Sequence, residues 1–183
     1  MDTDTATAVK TTVWDTVETP IGELPVVVGP RGVRGLYFPG HARGLTEQRR
    51  DTVVLEPVRR QLDEYFAGER RAFDLDLDLE SQGDELARRV WAELLKIPYG
   101  ETTTYGELGR TVGHDDPRDI GSCVGSTPVP IVIPCHRVIG ADGSLRGYLG
   151  SLERKETLLL LERRGVGDTS VPIWARAEQL ALG

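Results

Sequence analysis

Residues 101–126, ETTTYGELGRTVGHDDPRDIGSCVGS, have the pattern of two short helices joined by a turn. A threonine-rich segment precedes the first helix. Asp116 can cap the second helix, and Pro117 suits its first position because the N–H that proline lacks has no partner there. Together with a helix before them, these two helices predict a helix-turn-helix arrangement.

The preceding helix is predicted within residues 83–100, GDELARRVWAELLKIPYG. Asp84 stands near its start, and Pro98 and Gly100 end it. Its apolar residues recur at helical spacing and predict a buried face. That face consists of Leu86, Val90, Leu94 and Leu95. A further amphipathic helix is expected in residues 150–166, GSLERKETLLLLERRGV.

The first half of the chain has the pattern of strands and turns. Residues 11–39 alternate β-branched and aromatic runs with Pro-Gly turns, which predicts a three-stranded antiparallel meander. Residues 56–70 predict a helix that ends at Gly68, because their apolar side chains share one helical face. Those side chains are Val58, Leu62, Tyr65 and Phe66.

A domain boundary is expected near residues 82 and 83. Just before it, residues 72–81, AFDLDLDLES, alternate apolar and acidic side chains, as in an edge strand or an extended linker. We therefore expect an α/β (α+β) protein with domains 1–82 and 83–183, whose tail, 166–183, has no assigned role. Apolar residues of this tail predict a short docking helix: Ile173, Trp174, Ala177, Leu180 and Leu182.

Composition excludes several classes of protein. The apolar runs are too short to cross a bilayer, and the acidic, Thr/Ala-rich first residues do not resemble a secretory signal. Two cysteines make no disulfide framework, and without a Cys/His cluster we expect no metal site. A net charge of −7 opposes unspecific DNA binding, although the nearly neutral second half could present a basic face. We expect a cytoplasmic protein.

Residues 128–140, PVPIVIPCHRVIG, place Cys135 between a proline and His136. The prolines predict an extended strand that presents the thiol. A thiolate is a nucleophile, and an imidazole can take its proton directly or through a water molecule. A small thiol that only packs fits the same stretch, and adjacent residues of a strand point to opposite sides. The residues alone leave both interpretations open.

Residues 128–162, from PVPIVIPCHRV to LLLLE, closely resemble the signature of the O6-alkylguanine-DNA alkyltransferases, also called methylated-DNA–protein-cysteine methyltransferases. VWAELLKIPYGETTTYGELG, residues 90–109, and TPIG, residues 19–22, are similar to further parts of that family. The resemblance covers roughly residues 84–165 and, more loosely, the first half.

The resemblance implies a ribonuclease-H-like N-terminal domain and a winged-helix-like C-terminal domain. It implies DNA repair by direct reversal, in which the alkyl group of O6-alkylguanine ends on the protein's own cysteine. Each molecule acts once and needs no cofactor. The implied partner is double-stranded DNA, bound through its minor groove with the damaged base flipped out, and the protein is expected to be a monomer.

The family's catalytic roles fall on four residues. By resemblance, Cys135 is the alkyl acceptor and His136 draws its proton through a water molecule. Glu162 orients that histidine, and Tyr105 donates to the guanine leaving group. Taken singly, Tyr105 would be expected to pack in the core and Glu162 to pair with an arginine at a helix surface.

Substrate contacts follow from the same resemblance. The backbone carbonyl of Val138 reads the guanine amine, and Tyr148 and Leu149 lie on the loop that closes the base pocket. Leu149 stands where the family often has serine, a mild departure because the contact is made by the backbone. The implied substrate-binding set is Val138, Tyr148, Leu149, Lys155 and Pro130.

The implied DNA-binding residues are Arg118, Gly121, Ser122 and Thr127. Arg118 matches the arginine that fills the gap left by the flipped base, although such an arginine alone would be a solvated side chain. Gly121 and Ser122 are small enough to enter the minor groove. Thr127 departs from the family, which has an asparagine that bridges the helix-turn-helix to the active site. We expect a weakened hinge, with slower transfer or altered coupling to DNA.

Two other functions are considered. An alkyltransferase-like damage-binding protein would flag the lesion without repairing it. Such proteins lack the acceptor cysteine, so Cys135 counts against this function, but the departure at Thr127 leaves it open. A cysteine hydrolase using Cys135 and His136 would turn over an ester or peptide, and no signature supports it.

Overall fold

The computed structural model describes residues 11–42, 45, 49–172 and 174. The chain divides into two compact units, of which the first ends at Ser81 and the second begins at Gln82. Each unit has its own sheet and helices, so each is described by itself.

The first unit contains the predicted meander. Strands β1 (Val13–Thr19), β2 (Gly22–Gly29) and β3 (Gly32–Leu36) pair antiparallel in sequence order. A short strand that the sequence did not predict, β4 (Arg49–Arg50), pairs in parallel with β1. The sheet order is β3-β2-β1-β4.

Helix α1 (Glu56–Phe66) covers the core of the first unit. Val58, Leu62 and Tyr65 are buried as predicted, whereas Phe66 is only partly buried. The sequence missed a polar core residue, Gln61, which donates to Asp74 O and accepts from Asp74 N. Because both amide atoms are paired, the buried glutamine carries no unsatisfied group.

The alternating segment 72–81 is extended but forms a single bridge, between Leu77 and Val33. Of its three aspartates, Asp74 and Asp76 are exposed, whereas Asp78 is buried. Its carboxylate binds the guanidinium of Arg31 at 2.8 Å, and that charge pairing explains how an aspartate is tolerated there.

The second unit consists of four helices and a two-stranded sheet. The helices are α2 (Glu85–Leu94), α3 (Tyr105–Val112), α4 (Pro117–Gly125) and α5 (Leu152–Gly165). The strands, β5 (Thr103–Thr104) and β6 (Val138–Ile139), pair in parallel.

Helix α2 begins as predicted, because the Asp84 side chain accepts from Ala87 N at 2.8 Å. Its predicted face needs two corrections, since Leu86 is only partly buried and Leu95 lies beyond the helix and is 47% exposed. The buried residue at that level is Trp91, whose indole N–H donates to Cys123 O in α4 at 2.9 Å. This bond fixes α2 against the last turn of α4.

Helices α3 and α4 form the predicted helix-turn-helix. Thr104 caps α3 in a capping box, accepting from Glu107 N while the Glu107 carboxylate accepts from Thr104 N. Gly113 ends α3 with φ 65°, a left-handed conformation that favours glycine. Asp116 caps α4 by accepting from Arg118 N at 2.8 Å, as the sequence predicts.

Residues 128–134 do not form the predicted extended strand. Ile133 N donates to Val129 O at 2.9 Å, which closes a turn, and Ile131 has φ 77°. Cys135 then begins a single 3₁₀ turn, Cys135–Arg137. The segment is therefore a buried turn rather than a strand. Its backbone groups form hydrogen bonds within the turn instead of with a neighbouring strand.

The predicted docking helix of the tail lies outside the described residues, except for Trp174. Trp174 is buried against Ile139 and Leu159, and the guanidinium of Arg163 lies 5.6 Å from its ring centroid. The tail therefore contributes at least one side chain to the core behind β6.

Within the described part of the chain, no helix is both long enough and apolar enough to cross a membrane.

Thr104→Ala tests the cap of the helix-turn-helix. The substitution leaves Glu107 N without its acceptor, so the free energy of unfolding should fall by about 1 kcal/mol. Denaturant titration of the full chain measures this change. Thr102→Ala, at an exposed position two residues earlier, is the matched control, and equal stability of the two variants would contradict the capping argument.

Candidate active site

Cys135 lies at the start of the 3₁₀ turn and is 2% exposed. Burial raises the pKa of its thiol to about 11, although a hydrogen bond with Thr127, the charge of Lys155 and a hydrogen bond with Tyr148 each oppose the rise. Only about 10⁻⁴ of the thiol is ionised at pH 7 with such a pKa. The cysteine therefore needs a base to become a nucleophile.

The adjacent residue, His136, is fully buried and bonded to Glu162, which lies 26 residues later on α5. His136 Nε2 is 2.8 Å from Glu162 Oε1. Burial alone would raise the pKa of Glu162, but bonds and charges from His136 and Arg137 outweigh it and lower that pKa. Glu162 is thus a carboxylate, and Nε2 donates to it.

This bond determines the tautomer of His136. Burial lowers the imidazole pKa, so the ring is neutral at pH 7 and carries one proton. With that proton on Nε2, Nδ1 presents a lone pair, and Nδ1 has no hydrogen-bond partner among the described residues. His136 can therefore act as a proton acceptor at Nδ1.

Arg137 completes the buried cluster, and sequence reasoning missed it. Its Nε and Nη2 donate to the two Glu162 oxygens at 2.9 and 2.8 Å. Its Nη1 donates to Ile97 O at 2.6 Å, and its guanidinium lies 5.8 Å from the Tyr99 ring centroid. The signal was its place beside Cys135-His136 in an otherwise apolar stretch.

Lys155 is fully buried on α5, and burial lowers its pKa to about 8. Its ammonium donates to Val138 O at 2.6 Å and to Arg146 O at 2.8 Å. The Val138 carbonyl, which the resemblance assigns to the guanine amine, thus already accepts one bond. Lys155 ties β6 to the glycine-rich loop that follows it.

A cavity of about 700 Å³ lies next to this cluster. Tyr105 and Tyr148 line it, and both interact with Cys135. Burial raises the pKa of the Tyr105 hydroxyl, the nearby Cys135 raises it further, and the charge of Arg146 lowers it. The Tyr105 hydroxyl therefore remains a proton donor at neutral pH within electrostatic reach of the acceptor thiol.

The structure brings five of the predicted site residues to the wall of this cavity. Its lining includes the predicted Tyr105, Arg118, Gly121, Tyr148 and Leu149. It also includes residues that sequence reasoning missed: Gly106, Pro117, Gly125, Gly140, Ala141, Arg146 and Gly147. A glycine-rich composition was the only signal for the last four.

Eight predicted residues are not among those lining the cavity, and three of them, Cys135, His136 and Glu162, form the buried cluster beside it. Ser122 is exposed on α4, whereas Pro130, Val138 and Lys155 are buried. Thr127 is also buried, and its hydroxyl donates to Val124 O at 2.8 Å. Because Thr127 also bonds the thiol, it connects the end of α4 to Cys135.

No group of three potential metal ligands occurs among the described residues. Both cysteines are free thiols.

Residues 85–164 match the family described as 6-O-methylguanine DNA methyltransferase, DNA binding domain. Residues 12–79 match its 6-O-methylguanine DNA methyltransferase, ribonuclease-like domain. The chain belongs to the 6-O-methylguanine DNA methyltransferase family. The resemblance and the two-part fold class predicted from the sequence are confirmed.

Similar members of this family come from bacteria and archaea. The methylated-DNA–protein-cysteine methyltransferase of Mycolicibacterium paratuberculosis is 47% identical over 158 residues, covering 82% of this chain and 92% of that protein. The Methanosarcina mazei protein of the same name is 43% identical, covering 82% and 96%.

Among solved structures, Mycobacterium tuberculosis OGT in complex with DNA has a TM-score of 0.78 at 39% identity. The match covers 84% of this chain and 94% of that chain. The M. tuberculosis O6-methylguanine methyltransferase has a TM-score of 0.77 at 38% identity, covering 84% and 93%.

Glu162→Gln tests the buried carboxylate. The amide leaves Arg137 and His136 without a charged acceptor, so the free energy of unfolding at pH 7 should fall by about 3 kcal/mol. The folded-state pKa of Glu162 lies below its ordinary value of 4.5, so this difference should persist above pH 4.5 and shrink as the pH falls further.

Denaturant titrations between pH 3 and pH 8 measure this difference. Glu156→Gln, at a partly exposed position of the same helix, is the matched control and should change stability little. A loss of stability in Glu162→Gln that does not depend on pH would contradict the ionised, paired carboxylate.

Proposed function

We propose that the protein repairs O6-alkylguanine in double-stranded DNA by transferring the alkyl group to Cys135. The observation that carries the proposal is the buried Cys135–His136–Glu162 arrangement beside a cavity that holds two tyrosines. The relatives named methylated-DNA–protein-cysteine methyltransferase support the same reaction.

Activation of the nucleophile follows from the proton positions. The thiol is protonated at neutral pH, and His136 Nδ1 is an available acceptor. A proton moves from Cys135 to Nδ1 through a water molecule as the sulfur attacks. Glu162 stabilises the resulting imidazolium, because its carboxylate already binds the other ring nitrogen.

The transfer is a single displacement at the alkyl carbon. The Cys135 Sγ–carbon bond forms while the carbon–O6 bond breaks, and the electron pair of that bond remains on guanine. The Tyr105 hydroxyl donates to the guanine as its negative charge develops. The product is a stable thioether on Cys135. Because the described residues of the site include no group that cleaves the new carbon–sulfur bond, the thiol is not regenerated and each molecule acts once.

Helix α4 carries the DNA contacts of the proposed function. Arg118 is exposed at its first turn and also lines the cavity, so it can fill the space left by a flipped base. At Gly121 an added Cβ would meet no atom within 4 Å, so the surface there is open for a close approach of the groove.

All residues of the proposed site belong to one chain, and we expect a monomer to suffice. We also expect the protein to act in the cytoplasm, where a bacterial or archaeal repair protein meets its DNA.

The deciding experiment mixes the protein with a duplex that contains O6-methylguanine. Transfer should restore guanine and add one methyl group to the tryptic peptide 119–137, which contains both Cys123 and Cys135. Fragmentation of that peptide should place the methyl group on Cys135, because only this thiol lies beside the tyrosines of the cavity.

Two variants make this test specific. Cys135→Ala should abolish transfer while retaining binding to the duplex, whereas Cys123→Ser should transfer normally. Binding of the unchanged protein without any gain in mass would instead identify a damage-binding protein. Methylation of Cys123 in place of Cys135 would contradict the assigned acceptor.

Thr127→Asn tests the departure from the family pattern. A hydroxyl has one proton, so Thr127 cannot donate to Val124 O and to a developing thiolate together. An asparagine amide has two N–H donors and can serve both. We expect the single-turnover rate to rise about tenfold, which corresponds to one hydrogen bond to a charged group.

Thr127→Val keeps the branched shape but removes the hydroxyl, so transfer should slow. Rapid-quench measurements with the O6-methylguanine duplex compare both variants. Unchanged rates in both would refute a role for Thr127 in activating the thiol.

A further inference from the structure

The wall of the cavity beside Cys135 carries cationic side chains. Its lining contains two cationic side chains, Arg118 and Arg146, and no acidic residue among the described residues that line it. The whole chain has a net charge of −7, so this composition is unusual for the molecule. The proposed function assigns Arg118 to DNA binding, whereas it gives Arg146 no contact with the substrate.

The Arg146 side chain is 60% exposed and bonds to residues of its own loop, whereas its backbone bonds to α5. Its Nη2 donates to Asp142 Oδ2 at 2.9 Å, and its Nε donates to Ser144 Oγ at 3.1 Å. Its carbonyl accepts from Lys155 at 2.8 Å. Nη1 has no hydrogen-bond partner among the described residues, so both of its N–H groups remain for a ligand.

The loop is built closely around this guanidinium. A Cβ added at Gly140 would lie 2.5 Å from Asp142 Oδ1, 2.9 Å from Ser144 Oγ and 3.0 Å from Arg146 Nε. A residue with a Cβ at this position would have to displace these side-chain ends. Asp142 accepts a hydrogen bond from Arg146 but does not line the cavity. The cavity wall therefore contains the guanidinium and not the carboxylate.

Arg146 lines the same cavity as Tyr105 and Tyr148, the two tyrosines that interact with Cys135. The Tyr105 hydroxyl is within electrostatic reach of both Cys135 and Arg146. In a displacement at Cys135, a substituent on the alkyl carbon points away from the line between sulfur and O6. The space beside that line is the cavity that Tyr105, Tyr148 and Arg146 border.

We propose that Arg146 is a specificity-determining residue that favours O6-alkylguanines whose alkyl group carries a carboxylate, with O6-carboxymethylguanine as the simplest example. The inference rests on the proposed alkyl transfer to Cys135. The guanidinium binds the carboxylate through charge-assisted hydrogen bonds. The bonds that form and break are those of methyl transfer, and Cys135 ends as its S-carboxymethyl thioether.

The test compares three duplexes that differ only at the O6 substituent: carboxymethyl, carbamoylmethyl and methyl. The carbamoylmethyl group is the neutral amide of nearly the same shape. Single-turnover rates at protein concentrations below saturation give the ratio of carboxymethyl to carbamoylmethyl transfer. This ratio should be about tenfold larger for the unchanged protein than for Arg146→Gln, as expected for one bond to a charged group.

Two further variants separate charge from shape. Arg146→Lys keeps the charge without the planar fork, so its ratio should lie between the other two. Arg164→Gln removes the same charge from an exposed position of α5 and should keep the ratio of the unchanged protein.

An equal ratio in the unchanged protein and Arg146→Gln would overturn the inference. Equal slowing of all three substrates, with a weaker salt dependence, would overturn it by showing that Arg146 binds a DNA phosphate. The methyl duplex tests the proposed function separately. Absence of transfer from every duplex would overturn the proposed function, whereas methyl transfer without carboxylate preference would overturn this inference alone.

Discussion

A buried carboxylate is the constraint on which the active site depends. Glu162 is fully buried and accepts hydrogen bonds from His136, Arg137 and Gly100 N. An unpaired charge in such a place costs several kcal/mol, so each partner must be in position when the domain folds. The carboxylate therefore joins α5, the 3₁₀ turn that carries the cysteine, and the segment after α2.

The same constraint prepares the reaction. With Glu162 ionised, His136 keeps its proton on Nε2 and offers Nδ1 as the base. Burial meanwhile keeps Cys135 protonated, so the thiol stays weakly reactive until a substrate and a proton path are present. A site that is used once per molecule benefits from this arrangement, because any unproductive oxidation or alkylation would consume the protein.

The cavity combines two parts of the second unit that lie apart in the sequence. Helices α3 and α4 contribute Tyr105 and Arg118, and the loop before α5 contributes Arg146 and Tyr148. Buried Lys155 links that loop to β6 through two backbone carbonyls. DNA binding and alkyl transfer can thus share one cavity in a protein whose overall charge opposes DNA.

The sequence alone determined the features that arise between near neighbours. The Asp84 and Asp116 caps and the three-stranded meander follow from residues a few positions apart, and the family follows from one contiguous signature around Cys135. Only the tertiary structure placed Trp91 rather than Leu95 in the core, closed the proline-rich stretch before Cys135 into a buried turn, and brought Arg146 to the cavity. These outcomes depend on which distant surfaces pack together and which buried polar groups find partners, and neither is encoded in local spacing.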